Sequence, residues 1–194
     1  MASLLKTTDN TRAILPDSLR YIRSDAPAAL NEADIAWLRE NNVRTVVDLR
    51  EGRELERKPC ALRQLPDFTY HHLPVTGGNQ VPATPDDVSP WYLSTLDDQM
   101  EKILRTIQTA GTNVIYFCAA GKDRTGIVTA LLLLQAGASD EQIIEDYLLT
   151  AVNMRQRIAG YVERNPQWDI EVLTPQRRYM VEFLAGVRRL GFLR

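Results

Sequence analysis

The sequence predicts an α/β fold in which a central, twisted and largely parallel sheet is flanked by helices. Short β-branched runs alternate along the chain with longer segments of helical periodicity, an order typical of a sheet covered by helices. The 194 residues are 44% hydrophobic and 25% charged, a composition that supplies one hydrophobic core. The sequence contains no internal repeat and no low-complexity tract. We therefore expect a single domain over residues 1–194, with a helical C-terminal part from about residue 139.

The N-terminal part of the chain predicts three strands and one helix. Residues 21–24 form a short extended segment that ends at Asp-Ala-Pro. A helix follows, with Asn31 as its N-cap. Residues 43–49 and 68–73 are rich in β-branched or aromatic side chains, which predicts two further strands.

A long loop over residues 74–90 separates these elements from the rest of the predicted fold. The loop holds four prolines, the pair Gly77-Gly78 and the pair Asp86-Asp87. Long loops inside compact domains frequently carry function. We therefore expect this segment to contribute to a functional site.

The C-terminal half predicts one more strand and several helices. Residues 91–110 carry apolar side chains at helical spacing, and residues 113–117 form another β-branched run. An apolar helix begins near Thr125, and Ser139 opens the next helix with a capping box. Two further helical segments are expected near residues 151–164 and 174–190.

The charge balance argues against a polyanionic partner. The chain has 23 Lys and Arg against 25 Asp and Glu, a formal net charge of −2, whereas dedicated nucleic-acid binders present a strongly basic face. We therefore expect no nucleic-acid partner. A local basic group in the last helix is compatible with an acidic partner or an anionic lipid, but a solvated helix face is the stronger interpretation. That group consists of Arg177, Arg178, Arg188 and Arg189.

The cysteines, histidines and hydropathy pattern indicate a cytoplasmic protein without a metal site. Cys60 and Cys118 are too few and too far apart for a disulfide framework, and the two histidines give no zinc spacing. The first ten residues lack the apolar core of a signal peptide. The longest nearly apolar run, residues 126–134, is too short for a membrane span. We expect no integral membrane association, while secretion by a route without a signal peptide is compatible with the sequence.

The chemistry of the chain is concentrated in the segment CAAGKDRTG, residues 118–126, between a predicted strand and a helix. A nucleophile at the carboxyl end of a buried strand, followed by a helix N-terminus, lies where α/β sheets bind ligands. Backbone N–H groups and the helix dipole suit a tetrahedral dianion there, and Arg124 can bind two of its oxygens. The same field stabilises a thiolate, so we expect Cys118 to be ionised. The alternative, a buried and inert core thiol, requires the whole string to be accidental.

Other phosphate-binding loops do not fit this spacing. A Walker loop requires Gly at position 116 and Ser or Thr at position 123, where the chain has Tyr116 and Asp123. Gly121 and Gly126 alone make no dinucleotide fingerprint. A nucleotide-binding function is therefore disfavoured.

The motif resembles that of a known family. Cys-x5-Arg-Thr-Gly is the signature of the cysteine-dependent protein tyrosine phosphatase superfamily, and CAAGKDRTG is similar to the loop of its bacterial tyrosine and phosphoinositide phosphatases. Residues 21–24, 45–50 and 143–148 (IIEDYL) also resemble segments of that subgroup. The resemblance covers most of the chain up to about residue 150 and implies a tyrosine phosphatase-like fold.

The resemblance implies a phosphomonoester hydrolase that works in two steps without a metal or a cofactor. Cys118 would attack phosphorus and form a cysteinyl-phosphate, which water then hydrolyses. Arg124 would bind the equatorial oxygens, and Thr125 would assist the departing thiolate. The other residues of the phosphate-binding loop would be Ala119, Ala120, Gly121, Lys122 and Gly126.

The general acid has several candidates. Asp123 matches the loop aspartate that protonates the leaving oxygen in some relatives, and it ranks first. Asp87 and Asp86 lie in the long loop, about where many other members of the superfamily carry their acid, and rank second and third. Asp48 is a further candidate, but pairing with an arginine such as Arg50 or Arg53 is the preferred interpretation.

Phe117 departs from the family pattern, because most relatives have histidine immediately before the cysteine. That histidine usually helps to order the loop and favours the thiolate, so its replacement raises the alternative of a catalytically impaired phosphate-binding module. The retained Cys118 and Arg124 favour an enzyme. A thiol redox protein would need a resolving cysteine, and Cys60 is better explained as an ordinary loop or packing residue.

Lys122 bears on the substrate. In similar enzymes this lysine accompanies activity on phosphoinositides, whereas a solvent-facing lysine that only adds positive potential explains it equally well. The expected partners are a phosphotyrosine-bearing protein or a phosphoinositide, and dual-specificity activity is a further alternative.

Overall fold

A computed structural model describes residues 3–193, in which five strands form one sheet in the order β1-β2-β5-β3-β4. Strand β1 pairs with β2 in the antiparallel sense, and all the other neighbours are parallel. The predicted largely parallel sheet flanked by helices is therefore confirmed. The strands are β1 (Arg12–Leu15), β2 (Ser18–Ser24), β3 (Val43–Asp48), β4 (Thr69–His72) and β5 (Asn113–Phe117).

Nine α-helices accompany the sheet within residues 3–193. They are α1 (Glu32–Glu40), α2 (Gly52–Arg57), α3 (Val88–Ser94), α4 (Asp98–Thr109), α5 (Asp123–Gln135), α6 (Asp140–Asn153), α7 (Arg155–Arg164), α8 (Ile170–Leu173) and α9 (Arg177–Leu190). Two short 3₁₀ turns occupy Ala61–Gln64 and Pro85–Asp87. None of the described helices is both long and apolar enough to cross a bilayer.

The capping signals predicted two helix starts correctly. The Asn31 side chain accepts a hydrogen bond from the backbone of Asp34 at 2.8 Å and begins α1. Ser139 accepts from the backbone of Gln142, whose side chain bonds back to Ser139 in a complete capping box at the start of α6. These caps satisfy N–H groups that would otherwise lack partners in the first helical turn.

The single helix expected over residues 91–110 is two helices. Asp97 adopts an extended backbone, and its side chain accepts from the backbone of Met100 at 2.9 Å, so a new helix begins there. Helix α3 starts earlier than expected, at Val88, and takes up the end of the predicted long loop. An N-cap aspartate inside a helical pattern therefore ended one helix and started the next.

Three short elements were not predicted: strand β1 and helices α2 and α8. Strand β1 joins β2 through a tight turn at Asp17, whose φ of 51° is positive. Helix α2 is six residues long and begins with a capping box between Glu51 and Glu54. Elements of this length show too few turns or alternations to give a periodic signal.

The carboxyl ends of three parallel strands meet at one edge of the sheet. In the register of β5, Phe117 lies opposite Ser24 of β2 on one side and Asp48 of β3 on the other. The backbone N–H of Leu49 also donates to the Phe117 carbonyl at 2.9 Å. The residue that follows β5, Cys118, is therefore placed at the middle of this edge, where α/β sheets bind ligands.

Strand β5 separates two hydrophobic clusters. Side chains alternate along a strand, so Tyr116 and Cys118 belong to the larger cluster with α5, whereas Ile115 and Phe117 belong to the smaller cluster on the other face. The larger cluster surrounds α5, which is almost entirely buried. The alternation directs the Cys118 side chain and the Phe117 ring to opposite faces of the sheet.

Candidate active site

Cys118 lies in a pocket of about 560 Å³ at the carboxyl edge of the sheet. The cysteine is 3% exposed and the loop after it runs directly into the first turn of α5. Five other residues of the motif 118–126 also line the pocket. They are Ala119, Ala120, Lys122, Asp123 and Arg124.

The loop turns at Gly121, where only glycine fits. Gly121 has a φ of +67°, in the left-handed region, and a Cβ added there would lie 2.5 Å from the carbonyl oxygen of Ser24. The loop therefore packs directly on the end of strand β2. A side chain at this position would meet both backbone strain and a backbone atom.

Two buried side chains hold the back of the loop. Arg23 Nη2 donates to the Gly121 carbonyl at 2.7 Å, and Asn10 Nδ2 donates to the carbonyls of Ala120 and Gly121 at 3.3 and 3.2 Å. These donors satisfy carbonyl oxygens whose dipoles would otherwise repel an anion. The loop conformation thus depends on residues more than ninety positions away in the sequence.

Asp146 of α6 balances the buried guanidinium groups behind the loop. It pairs with Arg23 and accepts from Arg12 Nε at 2.7 Å. Burial raises the pKa of Asp146, but the two arginines outweigh this effect and hold it below its usual range. A buried charge without such partners would be strongly destabilising, so the three residues form one unit.

Arg124 is held against the loop by a carboxylate that the sequence did not point to. Its Nη1 and Nη2 donate to Glu54 Oε2 and Oε1 at 2.5 and 2.8 Å, a bidentate pair. Burial lowers the pKa of Arg124, but Glu54 and the nearby Cys118 more than offset this, so the net shift is upward. A Cβ at Gly78 would lie 2.6 Å from Arg124 Cδ, so a glycine is needed beside the arginine. The capping box between Glu51 and Glu54 concerns only the start of α2, and nothing in it indicates the contact with Arg124.

Asp123 and Lys122 form a second charged pair in the pocket. Lys122 Nζ lies 3.0 Å from Asp123 Oδ1 and donates to the Val172 carbonyl at 2.6 Å. The Tyr92 hydroxyl donates to the same Asp123 oxygen at 2.5 Å. Lys122 is only 6% exposed, so its interpretation as a solvent-facing lysine is wrong.

Asp86 and Asp87 are not among the residues that line the pocket. The Asp86 side chain is 88% exposed and pairs with Arg178 of α9 at 3.1 Å. Asp87 accepts from the backbone and hydroxyl of Thr84 at 3.0 and 2.7 Å and caps the 3₁₀ turn. The structure therefore brings Asp123, and not these two aspartates, to the pocket that Cys118 lines.

Comparisons with known proteins decide the family. The family model described as "Tyrosine phosphatase family" matches residues 6–190. The chain belongs to the tyrosine phosphatase family. A tyrosine-protein phosphatase of Nostoc commune is 27% identical over 141 residues, which cover 68% of this chain and 48% of that protein. A triple specificity protein phosphatase, PtpB of Mycobacterium tuberculosis, is 26% identical over an alignment of 223 positions. The alignment covers 93% of this chain and 79% of PtpB.

Two further comparisons concern length and fold. A putative tyrosine-protein phosphatase of Cupriavidus necator is 29% identical over 145 residues, which cover 66% of this chain and 52% of that protein. The chain thus spans about half the length of these Nostoc and Cupriavidus relatives. A crystal structure of P. aeruginosa TpbA in complex with pTyr matches with a TM-score of 0.46 and 18% identity, covering 94% of this chain and 98% of that one.

Asp48 has a structural place in this member of the tyrosine phosphatase family. It binds Arg50 Nη2 at 2.6 Å and Nε at 2.9 Å, and accepts from the Tyr70 hydroxyl at 2.6 Å, all within the buried end of β3. The preferred interpretation of Asp48 as an arginine partner is confirmed. The Arg50 guanidinium lies 5.2 Å from the centre of the Phe117 ring, so a cation faces the residue before the cysteine even without a histidine.

Cys60 is separate from the site. It is buried and unpaired, and it belongs to the smaller hydrophobic cluster on the opposite face from Cys118. Burial raises its pKa to about 11, which keeps the thiol protonated and unreactive at neutral pH. These properties are those of a packing cysteine.

Replacing Gly121 with alanine is expected to destroy activity by distorting the loop. The substitution adds left-handed strain and a contact of 2.5 Å with the Ser24 carbonyl. Gly137→Ala is the matched control, because Gly137 also has a positive φ, +79°, but its Cβ would have no atom of residues 3–193 within 4 Å. That control should lose about 1–2 kcal/mol of stability and keep its kcat/KM. Equal kcat/KM values for the two variants, measured with an aryl phosphate, would contradict the expectation.

Replacing Glu54 with glutamine is expected to lower kcat/KM by about tenfold, because Arg124 loses the carboxylate that orients it. Burial raises the pKa of Glu54, but Arg124 outweighs it, so the folded-state pKa lies below the ordinary value. The ionised Glu54 carboxylate therefore stabilises the fold fully at pH values above its pKa in the unfolded state. This stabilisation is lost as the pH falls through its pKa in the folded state. The stability difference between wild type and Glu54→Gln should shrink on acidification. Glu56→Gln, an exposed change on the same helix, should affect neither measurement.

Proposed function

We propose that this chain is a cysteine-dependent phosphomonoester hydrolase, a protein tyrosine phosphatase that works through a cysteinyl-phosphate intermediate. The observation that carries the proposal is the convergence of Cys118, Asp123 and Arg124 on one pocket at the carboxyl edge of the sheet. A nucleophile, a proton donor and an anion-binding guanidinium within one loop are the groups that phosphoryl transfer from a monoester requires.

In the first step, the Cys118 thiolate attacks phosphorus in line with the leaving oxygen. The sulfur–phosphorus bond forms, the bond from phosphorus to the ester oxygen breaks, and Asp123 gives its proton to that oxygen. Arg124 binds two of the equatorial oxygens, and the loop N–H groups with the N-terminus of α5 stabilise the remaining charge. Glu54 keeps the guanidinium in place before the substrate arrives.

In the second step, water attacks the cysteinyl-phosphate. The Asp123 carboxylate accepts a proton from the water, the oxygen–phosphorus bond forms, and Cys118 leaves as the thiolate. Within residues 3–193 the buried Thr125 hydroxyl has no hydrogen-bond partner. An unpartnered hydroxyl in the first turn of α5, seven positions after Cys118, supports a role for Thr125 in stabilising the departing sulfur.

The walls of the pocket bear on the substrate. Trp91, Ile158 and Tyr161 line it with apolar and aromatic surface. Arg57 and Arg157 add positive charge, and Arg157 is paired with Asp25 at 2.6 Å. An aromatic phosphate ester on a protein fits the apolar surface, and the cations suit substrates with additional negative groups. We therefore propose phosphotyrosine-bearing proteins as substrates. Dual-specificity activity, or activity on phosphoinositides, would use the same pocket.

A single assay tests the proposed function. Hydrolysis of a chromogenic aryl phosphate is followed in the presence of a metal chelator, and the reaction is quenched with denaturant to trap phosphate bound to sulfur. Chelator-resistant turnover with a trapped phosphoenzyme supports the proposal. Oxyanion binding without turnover would make the chain a phosphate-binding module instead, and turnover without any phosphoenzyme would contradict the covalent mechanism.

A further inference from the structure

The two oxygens of the Asp123 carboxylate have different surroundings. Oδ1 accepts from the Tyr92 hydroxyl at 2.5 Å and lies 3.0 Å from Lys122 Nζ. Within residues 3–193 no hydrogen bond reaches Oδ2, and the Asp123 side chain is 26% exposed on the wall of the pocket. One oxygen is therefore held by the protein, and the other is left for the ligand or for water.

A second tyrosine lies behind the first. The hydroxyls of Tyr92 and Tyr147 are 2.7 Å apart. A phenol has one proton, and Tyr92 gives it to a carboxylate oxygen, so the proton between the two hydroxyls must come from Tyr147. The chain of donors thus runs in one direction, from Tyr147 to Tyr92 to Asp123.

The tyrosines are held rigidly by packing. Tyr92 of α3 makes edge-to-face contacts with Tyr147 of α6 and Phe183 of α9, at centroid distances of 6.4 and 6.0 Å. A Cβ at Gly126 would lie 3.1 Å from the Tyr147 ring, so the glycine of the loop motif lets that ring pack on α5. Burial raises the pKa of both tyrosines well above the ordinary value, and both remain phenols.

We propose that Tyr92, supported by Tyr147, is a positioning residue that fixes the Asp123 carboxylate so that Oδ2 faces the leaving-group oxygen. The proposal rests on the proposed function, because Asp123 must be the general acid for its orientation to matter. The terminal torsion of an aspartate is broadly distributed, and a short hydrogen bond to one of its oxygens narrows that distribution. In this arrangement Tyr147 of the IIEDYL segment acts on the reaction indirectly, by donating a hydrogen bond to Tyr92.

The test uses a series of aryl phosphates whose leaving groups range from activated to poor. Tyr92→Phe keeps the ring contacts and removes only the hydroxyl. We expect it to lower kcat/KM for poor leaving groups by about tenfold or more and to leave activated esters nearly unchanged, because only the former need the proton. Tyr147→Phe leaves the Tyr92–Asp123 bond in place, and it should act in the same direction with a smaller effect.

Tyr116→Phe is the matched control. Tyr116 is also buried, and its hydroxyl lies 2.8 Å from Thr129 in the core, far from any role in orienting Asp123. This variant should show the wild-type dependence on the leaving group. The ratio of kcat/KM for a poor and an activated ester is measured on the same preparation, so a partly unfolded sample does not alter it.

The outcomes separate this inference from the proposed function. If Asp123→Asn does not make kcat/KM depend more steeply on the basicity of the leaving group, Asp123 is not the general acid. Both the acid role in the proposed function and the positioning role of Tyr92 are then overturned. If Asp123→Asn steepens that dependence but Tyr92→Phe lowers kcat/KM equally for all esters, or for none, only the positioning role of Tyr92 is overturned. Should Tyr92→Phe fail to fold, Tyr147→Phe decides the matter by the same ratio.

Discussion

Cys118→Ser is expected to abolish turnover while the loop continues to bind oxyanions. The serine hydroxyl is a far weaker nucleophile than a thiolate, and loss of the nucleophile in a hydrolase removes on the order of 10⁴-fold or more in kcat. Arg124, Gly121 and the N-terminus of α5 are unchanged by the substitution, so the anion site survives. Hydrolysis of an aryl phosphate and calorimetric binding of sulfate or tungstate measure the two properties separately.

The control for this substitution is Cys60→Ser. Cys60 lies on the opposite face of the sheet, in the smaller cluster, so its replacement should cost stability and leave kcat/KM per folded molecule near the wild-type value. If Cys118→Ser hydrolysed the ester at nearly the wild-type rate, Cys118 would not be the nucleophile. Loss of oxyanion binding in a folded Cys118→Ser variant would place the anion elsewhere.

Asp123→Asn is expected to slow esters with poor leaving groups by about 10²–10⁴-fold and activated esters far less. The amide cannot supply the proton that a phenolate of high basicity needs as it leaves. Of the four candidate aspartates, Asp123 lines the pocket, and Asp48, Asp86 and Asp87 do not. The dependence of kcat/KM on the basicity of the leaving group is the measurement that isolates the acid from other effects of the substitution.

Asp86→Asn and Asp87→Asn, assayed on the same esters, should keep the wild-type dependence on the leaving group. Asp86 is exposed beside Arg178, and Asp87 caps a turn with Thr84. If kcat/KM depends more steeply on leaving-group basicity in either of these variants, while Asp123→Asn keeps the wild-type dependence, the acid lies on the loop before α3. That loop would then have to close over bound substrate during the reaction.

The local part of the site could be predicted from the sequence. Cys118, Asp123 and Arg124 belong to one short segment between a strand and a helix, and the alternation of side chains in β5 together with the start of α5 determines where they point. The parallel sheet followed from β-branched runs separated by helical periodicity. Such features depend on neighbours in the chain, so a single sequence contains them.

The partners that hold the loop could not be predicted in this way. Glu54 reaches Arg124 across seventy positions, and Asn10 reaches the loop across more than one hundred. Pairings of this kind depend on how distant elements pack, and a lone glutamate or asparagine carries no periodic signal. In the sequence, the IIEDYL segment is recognisable only by its resemblance to other phosphatases. The structure shows what it does: Asp146 pairs with Arg23, and the Tyr147 hydroxyl contacts that of Tyr92.

The same support behind the loop determines when the site can form during folding. Arg23 binds the Gly121 carbonyl and is itself neutralised by Asp146, which lies on α6. A growing chain that has released Cys118 but not yet α6 lacks the carboxylate partner of Arg23, and burying the unpaired guanidinium would be strongly unfavourable. Because synthesis runs from the N-terminus, we expect the loop after Cys118 to reach its folded conformation only once α6 has left the ribosome.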